Sequence, residues 1–315
     1  MRFLFFDIEG ANCFDFVSKM CSFGYVITSS EFKVNSKIDV IINPESPFDR
    51  HIIRQKMNAY PIEKYSTRPN FPYFYKSIKR MLEEPEQLIV GWSIENDVKY
   101  IYDACKRYNL QQIHYKYLDI QKVVMEVEEL KNQPALDTIC ELYNIKTDSI
   151  LHKSDDDAYM TCKITKHLCK KLELSLPELY EKYEKYSSNV DTYISHLKSD
   201  EEIAIILNRR RISYMIRATK QKNKKTNKYI LKENIYGFSG DIIDQNPETV
   251  KQIIHYVYDC GARCANNLKE CNVIICSDKT MAHYVENDKY QHVNLMTLKQ
   301  FCKKVLSLDN KVAQK

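Results

Sequence analysis

The chain of 315 residues contains no long hydrophobic run. Its apolar stretches, such as Phe3 to Phe6, fall far short of the roughly 18 to 20 residues that cross a bilayer, so no membrane span is expected. A secretory leader is not expected either, because Asp7 and Glu9 interrupt the first apolar stretch before a hydrophobic region could form. Without that signal the eleven cysteines read as reduced thiols of a cytoplasmic protein and not as a disulfide framework. Internal repeats and long low-complexity tracts are also missing. One segment lacks acids altogether: from Arg209 to Lys232 there are ten Lys or Arg and no Asp or Glu, a local field suited to a polyanion, although a solvated connector would look the same.

What is present is the composition of a folded globular protein, with 44% hydrophobic and 28% charged residues and a formal charge of only +5. The length suits about two domains. Apolar patterning predicts strands at Arg2 to Ile8, Cys21 to Thr28 and Phe32 to Ile42, joined by short turns. Helices and strands then alternate. The pattern gives a helix at Pro72 to Glu84, a strand at Gln87 to Val90, a helix at Glu95 to Tyr108 and a strand at Lys116 to Asp119. Helices follow at Ile120 to Lys131, Ala135 to Tyr143 and Asp155 to Leu172. This order implies a mixed sheet flanked by helices over residues 1–175. A tyrosine-rich and basic segment follows at 176–232, with helical stretches at Leu176 to Tyr186 and Glu201 to Arg217 and a linker at Gln221 to Lys228. From Ile235 the pattern restarts as a small α/β domain at 233–306, with a tail at 307–315. Its Cys260, Cys264, Cys271 and Cys276 depart from paired zinc-ribbon spacing and read mainly as small buried hydrophobes.

Asp7 and Glu9 stand two apart on the first strand, so both carboxylates project from one face at the end of a buried strand. Like charges so placed repel unless a cation neutralises them, and hard oxygen donors suit Mg2+ or Mn2+. Solvated acids at an exposed strand end are the alternative. Asp97 follows the strand ending Val90-Gly91, with Ser93 as a plausible N-cap, and a helix dipole alone would favour an acid there. Ser154 and Asp157 match a capping box, and His152 could be an ordinary loop histidine.

Order and spacing give the set its meaning. The chain carries Phe6-Asp7-Ile8-Glu9-Gly10, then Val90-Gly91-Trp92-Ser93-Ile94-Glu95-Asn96-Asp97, then His152-Lys153-Ser154-Asp155-Asp156-Asp157-Ala158. Over roughly residues 1–175 it resembles the DEDDh exonucleases, a superfamily that includes a proofreading polymerase subunit, ribonuclease T and oligoribonuclease. The resemblance implies a ribonuclease H-like five-stranded sheet in the order 3-2-1-4-5. It also implies that Asp7, Glu9, Asp97 and Asp157 hold two divalent ions, Mg2+ or Mn2+, with His152 as general base, and that 5′ mononucleotides leave from a 3′ end. Substrate contacts would fall at Ile8, Gly10, Ala11, Trp92 and Asn96. The chain departs from the family at two of these places: Trp92-Ser93 stands where many relatives have His-Asn, and Gly10-Ala11-Asn12 where they often have Thr-Thr-Gly. Asp155 and Asp156 adjoin the third motif's acid, and the His-x4-Asp spacing selects Asp157.

Residues 233–306 resemble a BRCT domain through Phe238-Ser239-Gly240 after the first strand, the Gly261-Ala262 turn and a last helix at Thr297 to Val305, with Phe301 at the usual aromatic position. That resemblance implies a partner in DNA replication or repair, and Ser239, Gly240 and Lys279 as candidate phosphate contacts, a simple tight turn at Ser239-Gly240 being the alternative. The expected function is a metal-dependent 3′–5′ exonuclease binding nucleic acid, DNA favoured over RNA. The alternatives are an RNA-trimming exonuclease and a catalytically silent nucleic-acid-binding scaffold.

Overall fold

The structure, a computed structural model, describes residues 2–55, 57–146, 152–220, 231 and 233–313. It divides into two compact units, Met1–Leu197 and Lys198–Lys315. Among the described residues no helix is long and apolar enough to cross a membrane.

The first unit opens with β1 (Arg2–Asn12), β2 (Lys19–Thr28) and β3 (Val34–Ile41), paired antiparallel in sequence. Two short helices, α1 (Arg50–Arg54) and α2 (Ile62–Ser66), precede α3 (Phe71–Leu82). Then come β4 (Gln87–Gly91), α4 (Glu95–Arg107), β5 (Lys116–Asp119), α5 (Ile120–Val127), α6 (Leu136–Leu142) and α7 (Ser154–Leu172). The unit closes with α8 (Leu176–Lys182), β6 (Ser187–Asn189) and α9 (Val190–Ser195). The strands order as β3-β2-β1-β4-β5-β6, with β1, β4 and β5 mutually parallel. This is the ribonuclease H-like arrangement with one strand more than the five expected, because β6 adds antiparallel to β5.

The two-residue period of β1 builds the unit's two cores. Phe3 and Phe5 lie fully buried in the cluster that includes Ala158, Ile164 and Leu168 of α7. Leu4, Phe6 and Ile8 face the opposite cluster, with Phe71, Ile78, Val98 and Ile101 of α3 and α4. Asp7 and Glu9 continue the phase of Phe3 and Phe5, which directs them toward the α7 side. The β1–β2 register shifts around Gly10, an irregularity that turns the end of β1 out of the regular ladder.

The second unit holds α10 (Asp200–Lys220), β7 (Ile235–Phe238), α11 (Gly240–Gln245), α12 (Pro247–Asp259), β8 (Arg263–Cys264), β9 (Val273–Ile275), α13 (Asp278–Val285), β10 (Asn294–Met296) and α14 (Leu298–Ala313). Its four strands are parallel in the order β10-β9-β7-β8. Tyr236, Val250, Ile254, Val257 and Phe301 form the core, and Ile212 and Ile216 of α10 are buried in it.

These units divide the 176–232 segment differently from the sequence reading. Residues 176–197 complete the first unit, and α10 belongs to the second, its buried Ile212 and Ile216 masked in sequence by the arginines around them. The linker expected at Gln221 to Lys228 lies outside the described residues. Residues 307–313, expected as tail, continue α14. The cysteines at 260, 264, 271 and 276 are buried free thiols, with burial pushing Cys276 up to about 11.

Leu176, Leu179, Tyr183 and Val190 are buried, and at about 1.5 to 3 kcal/mol for each large apolar side chain their burial rivals the whole net stability of a domain. A chain ending at 175 is therefore expected to unfold at much lower urea than one ending at 197, as followed by circular dichroism.

Candidate active site

The site lies where the parallel strands β1 and β4 end, the usual location for a site in such sheets. The end of β1 supplies Asp7 and Glu9, the first turn of α4 supplies Asp97, and the start of α7 supplies Asp157, with His152 just before it. Glu9, His152 and Asp157 each place a ligand atom within 4.8 Å of the others. Asp97 is buried, and its Oδ1 accepts the main-chain N–H of Ile8 at 2.9 Å, which ties the second motif to the first. His152 sits in left-handed backbone, φ 62°, a strained conformation for a non-glycine residue.

Electrostatics show how tightly the acids converge. Burial, then Asp97, Glu9 and Asp157, push the Asp7 carboxyl well above the usual range. Asp97 is raised by burial and again by Glu9, against the opposing Ile8 N–H. Asp157 is pushed up to about 7 by burial and Glu9, although His152 pulls it down. Glu9, 3.7 Å from Nδ1, holds the His152 imidazole above its ordinary value. Among the described residues no lysine or arginine forms an ion pair with these four acids. Such a cluster must take up protons or a cation, and its hard oxygen donors fit a divalent ion.

The neighbouring acids do other work. Asp155 and Asp156 pair with Lys37 of β3 and with Lys153, away from the Glu9, His152 and Asp157 cluster. Ser154 does not cap α7. Lys153 is the N-cap residue, and the Ser154 hydroxyl donates to Asp39 at 2.9 Å while lying 2.8 Å from the Ser22 hydroxyl. Tyr60 donates to the other Asp39 oxygen at 2.7 Å. Ser93 is not a cap either: α4 starts after Ile94, Ser93 has φ 53°, and its N–H donates to Asp119 at 3.2 Å. Lys37, Asp39, Ser22, Tyr60 and Asp119 carried no such signal in sequence, since these partners are 21 to 132 positions away.

The expected substrate contacts are dispersed in character. Ile8 and Ala11 are buried, their side chains packed in hydrophobic clusters, so neither side chain is offered to a ligand. At Gly10 a Cβ would lie 1.9 Å from the Tyr100 hydroxyl, so the tyrosine occupies the space a threonine would need. Trp92 is half-buried against the α7-side core, and Asn96 is exposed, donating to Ser93 Oγ at 3.2 Å. In the second unit Ser239 is 1% exposed and its hydroxyl donates to Asp241, which also accepts from Thr280 at 2.8 Å. Burial raises the Asp241 carboxyl, but the Ser239, Ser277 and Thr280 hydroxyls outweigh it and hold it at about 2. An internal carboxylate thus already accepts from the Ser239 hydroxyl, and Lys279 is exposed on α13.

A six-stranded mixed sheet with acids converging at the ends of its parallel strands is the ribonuclease H-like fold of a nuclease. The chain belongs to the exonuclease family (RNase_T), whose model matches residues 4–165, just over half of its length. No curated protein sequence matches it. Among solved structures it is similar to a 3′-exonuclease that recognises the histone mRNA stem-loop, at 14% identity over 54% of this chain and 82% of that one, TM-score 0.47. It is similar also to E. coli exonuclease I bound to a dA16 oligonucleotide, at 17% identity over 57% of this chain and 42% of that one, TM-score 0.47. Cell-death related nuclease 4 is 17% identical over 54% of this chain and 64% of its own, TM-score 0.46.

The close approach of α7 to β2 sets the position of Asp157. A Cβ at Gly24 would lie 2.0 Å from the backbone of both Ser154 and Asp155. Gly24→Ala is therefore expected to cost about 1 to 3 kcal/mol in urea unfolding and to shift the start of α7, lowering nuclease turnover along with stability.

Proposed function

We propose that this chain is a metal-dependent 3′–5′ exonuclease of the DEDDh type, releasing 5′ mononucleotides. The observation that carries the reading is the convergence of Glu9, His152 and Asp157 within 4.8 Å, beside Asp7 and Asp97. Asp7, Glu9, Asp97 and Asp157 would hold two divalent ions, Mg2+ or Mn2+. When bound, these ions supply the positive charge that activates water and stabilises the phosphoryl oxygens and the departing 3′ oxygen. The chain's own contribution is positional. Ile8 N–H fixes one Asp97 oxygen, and the Ser22, Ser154 and Asp39 contacts fix the α7 end that carries Asp157. His152, with its ring 41% exposed beside Glu9, is placed to take the proton of an attacking water.

The substrate is nucleic acid, with DNA favoured over RNA on the BRCT-like reading of the second unit, and a role in replication or repair follows from it; the cysteine-rich sequence, with its thiols free, fits the cytoplasm. That reading is supported by Gly261 at φ 79° in the expected turn and by Phe301 packed edge-on to Tyr236 at 5.6 Å. The engagement of Ser239 by Asp241 makes a tether to a protein or nucleic acid the better role there than phosphate capture at Ser239.

Digestion of 3′-labelled and 5′-labelled single-stranded DNA and RNA is expected to give a ladder shrinking from the 3′ end in Mg2+ or Mn2+ and nothing in EDTA. Relative rates choose between DNA and RNA, and folded protein that binds but never cleaves would favour a silent scaffold. Asp7→Ala and Asp157→Ala should abolish hydrolysis, and His152→Ala should lower turnover by roughly 100-fold with substrate binding little changed, as read by single-turnover kinetics.

A further inference from the structure

The edge strand β3 has its polar side covered and its apolar side open. Lys37 pairs with Asp155 and Asp156 at the start of α7, and Asp39 accepts from Ser154 there and from Tyr60. Ile38 and Val40 alternate with these two and face the other way. Across the ladder they pair with Tyr25 and Phe23 of β2. The solvated face of an antiparallel pair is expected to be polar. Here it is apolar, and Ile38 is 43% exposed.

On this side of the sheet Leu4, Phe6 and Ile89 of β1 and β4 are buried with Phe71, Ile78 and Leu82 of α3. The cover stops short of the edge: Phe23 is fully buried, whereas Tyr25, Ile27 and Val40 are only partly so. What remains is a cavity of about 420 Å³, with Tyr25, Ile27 and Val40 as its floor and Phe74, Ile78 and Met81 of α3 as its wall. Those three stand at i, i+4 and i+7, an apolar seam along one flank of the helix. Ile38 stands beside the cavity on the edge strand, so an occupant that only filled the cavity would leave it in water. The open strip is two strands across, about 10 Å, which is the width of one α-helix with its side chains. The rim is charged: Arg2 pairs with Glu84 at 3.2 Å, and Arg80 forms no ion pair among the described residues, so the uncompensated charge there is positive.

We propose that this trough docks one amphipathic helix of a partner protein, laid beside α3 with its apolar stripe on Tyr25, Ile27, Ile38 and Val40 and an acidic residue against Arg80. Arg2 and Gln87, which open the parallel strands β1 and β4, line the trough, so it lies at the other end of β1 from Asp7 and Glu9. A partner held there leaves the acidic site open, and the proposal does not depend on what that site does.

The test titrates the full chain, by fluorescence anisotropy, against a labelled peptide of about four helical turns with Leu at i, i+3, i+4 and i+7 and Glu on its flanks. A scrambled isomer and a version with Lys for every Glu are the controls. The Leu-Glu helix is expected to bind at least about tenfold more tightly than either control, and Ile38→Asp to weaken it about tenfold. Arg80→Glu is expected to weaken the Leu-Glu helix about threefold and to strengthen the Lys version, a reversal that loss of fold would not produce. Equal binding of the three peptides, or unchanged affinity in Ile38→Asp with no reversal in Arg80→Glu, overturns the proposal. Sedimentation that shows the unaltered chain as a dimer, and the Ile38→Asp chain as a monomer, overturns it in favour of a contact between copies.

Discussion

Mutual repulsion among Asp7, Glu9, Asp97 and Asp157 is the constraint on which the rest of the first unit depends. Two unit charges about 4 Å apart interact by about 4 kcal/mol at an effective dielectric of 20, so an assembly of four must be held together from outside and neutralised from within. The neutralising part is chemical: burial and mutual repulsion raise the carboxyl affinities for protons at Asp7, Asp97 and Asp157, so the cluster takes up protons or a cation. The holding part is structural, and it explains why so many polar contacts surround the end of β1.

Those contacts converge on α7. Its first turn rests on Gly24 so closely that no Cβ fits, Ser154 is hydrogen-bonded to Asp39 and lies against Ser22, and Lys37 and Lys153 absorb the charge of Asp155 and Asp156. Three consecutive aspartates therefore have different work. Two balance lysines beside the sheet, and the third is left to meet Glu9 and His152. On the other side Asp119 holds the left-handed Ser93 through its N–H, which fixes the turn leading to Asp97.

The second unit applies a similar economy to different ends. Asp241 supplies from within the negative charge that the Ser239, Ser277 and Thr280 hydroxyls would otherwise seek from a ligand. Helix α10 is fixed to the same unit by the burial of Ile212 and Ile216. Composition alone had grouped that helix with a linker, because its arginines dominate the local pattern and its two buried isoleucines are only four residues apart.

The sequence by itself determined the order of strands and helices, the phase of β1 and the identity of the converging residues. These are local properties: a two-residue period puts Asp7 beside Glu9, and a five-residue step from His152 selects Asp157. The sixth strand was not legible, because Ser187, Ser188 and Asn189 carry no apolar alternation to mark a strand, and only their pairing with β5 makes them one. Nor were the roles of Asp39, Lys37 and Gly24, or the closure of Asp241 on Ser239. Tertiary structure decided these, because each depends on the distance between elements that only packing brings together, and no pattern within one segment encodes how closely another will approach it.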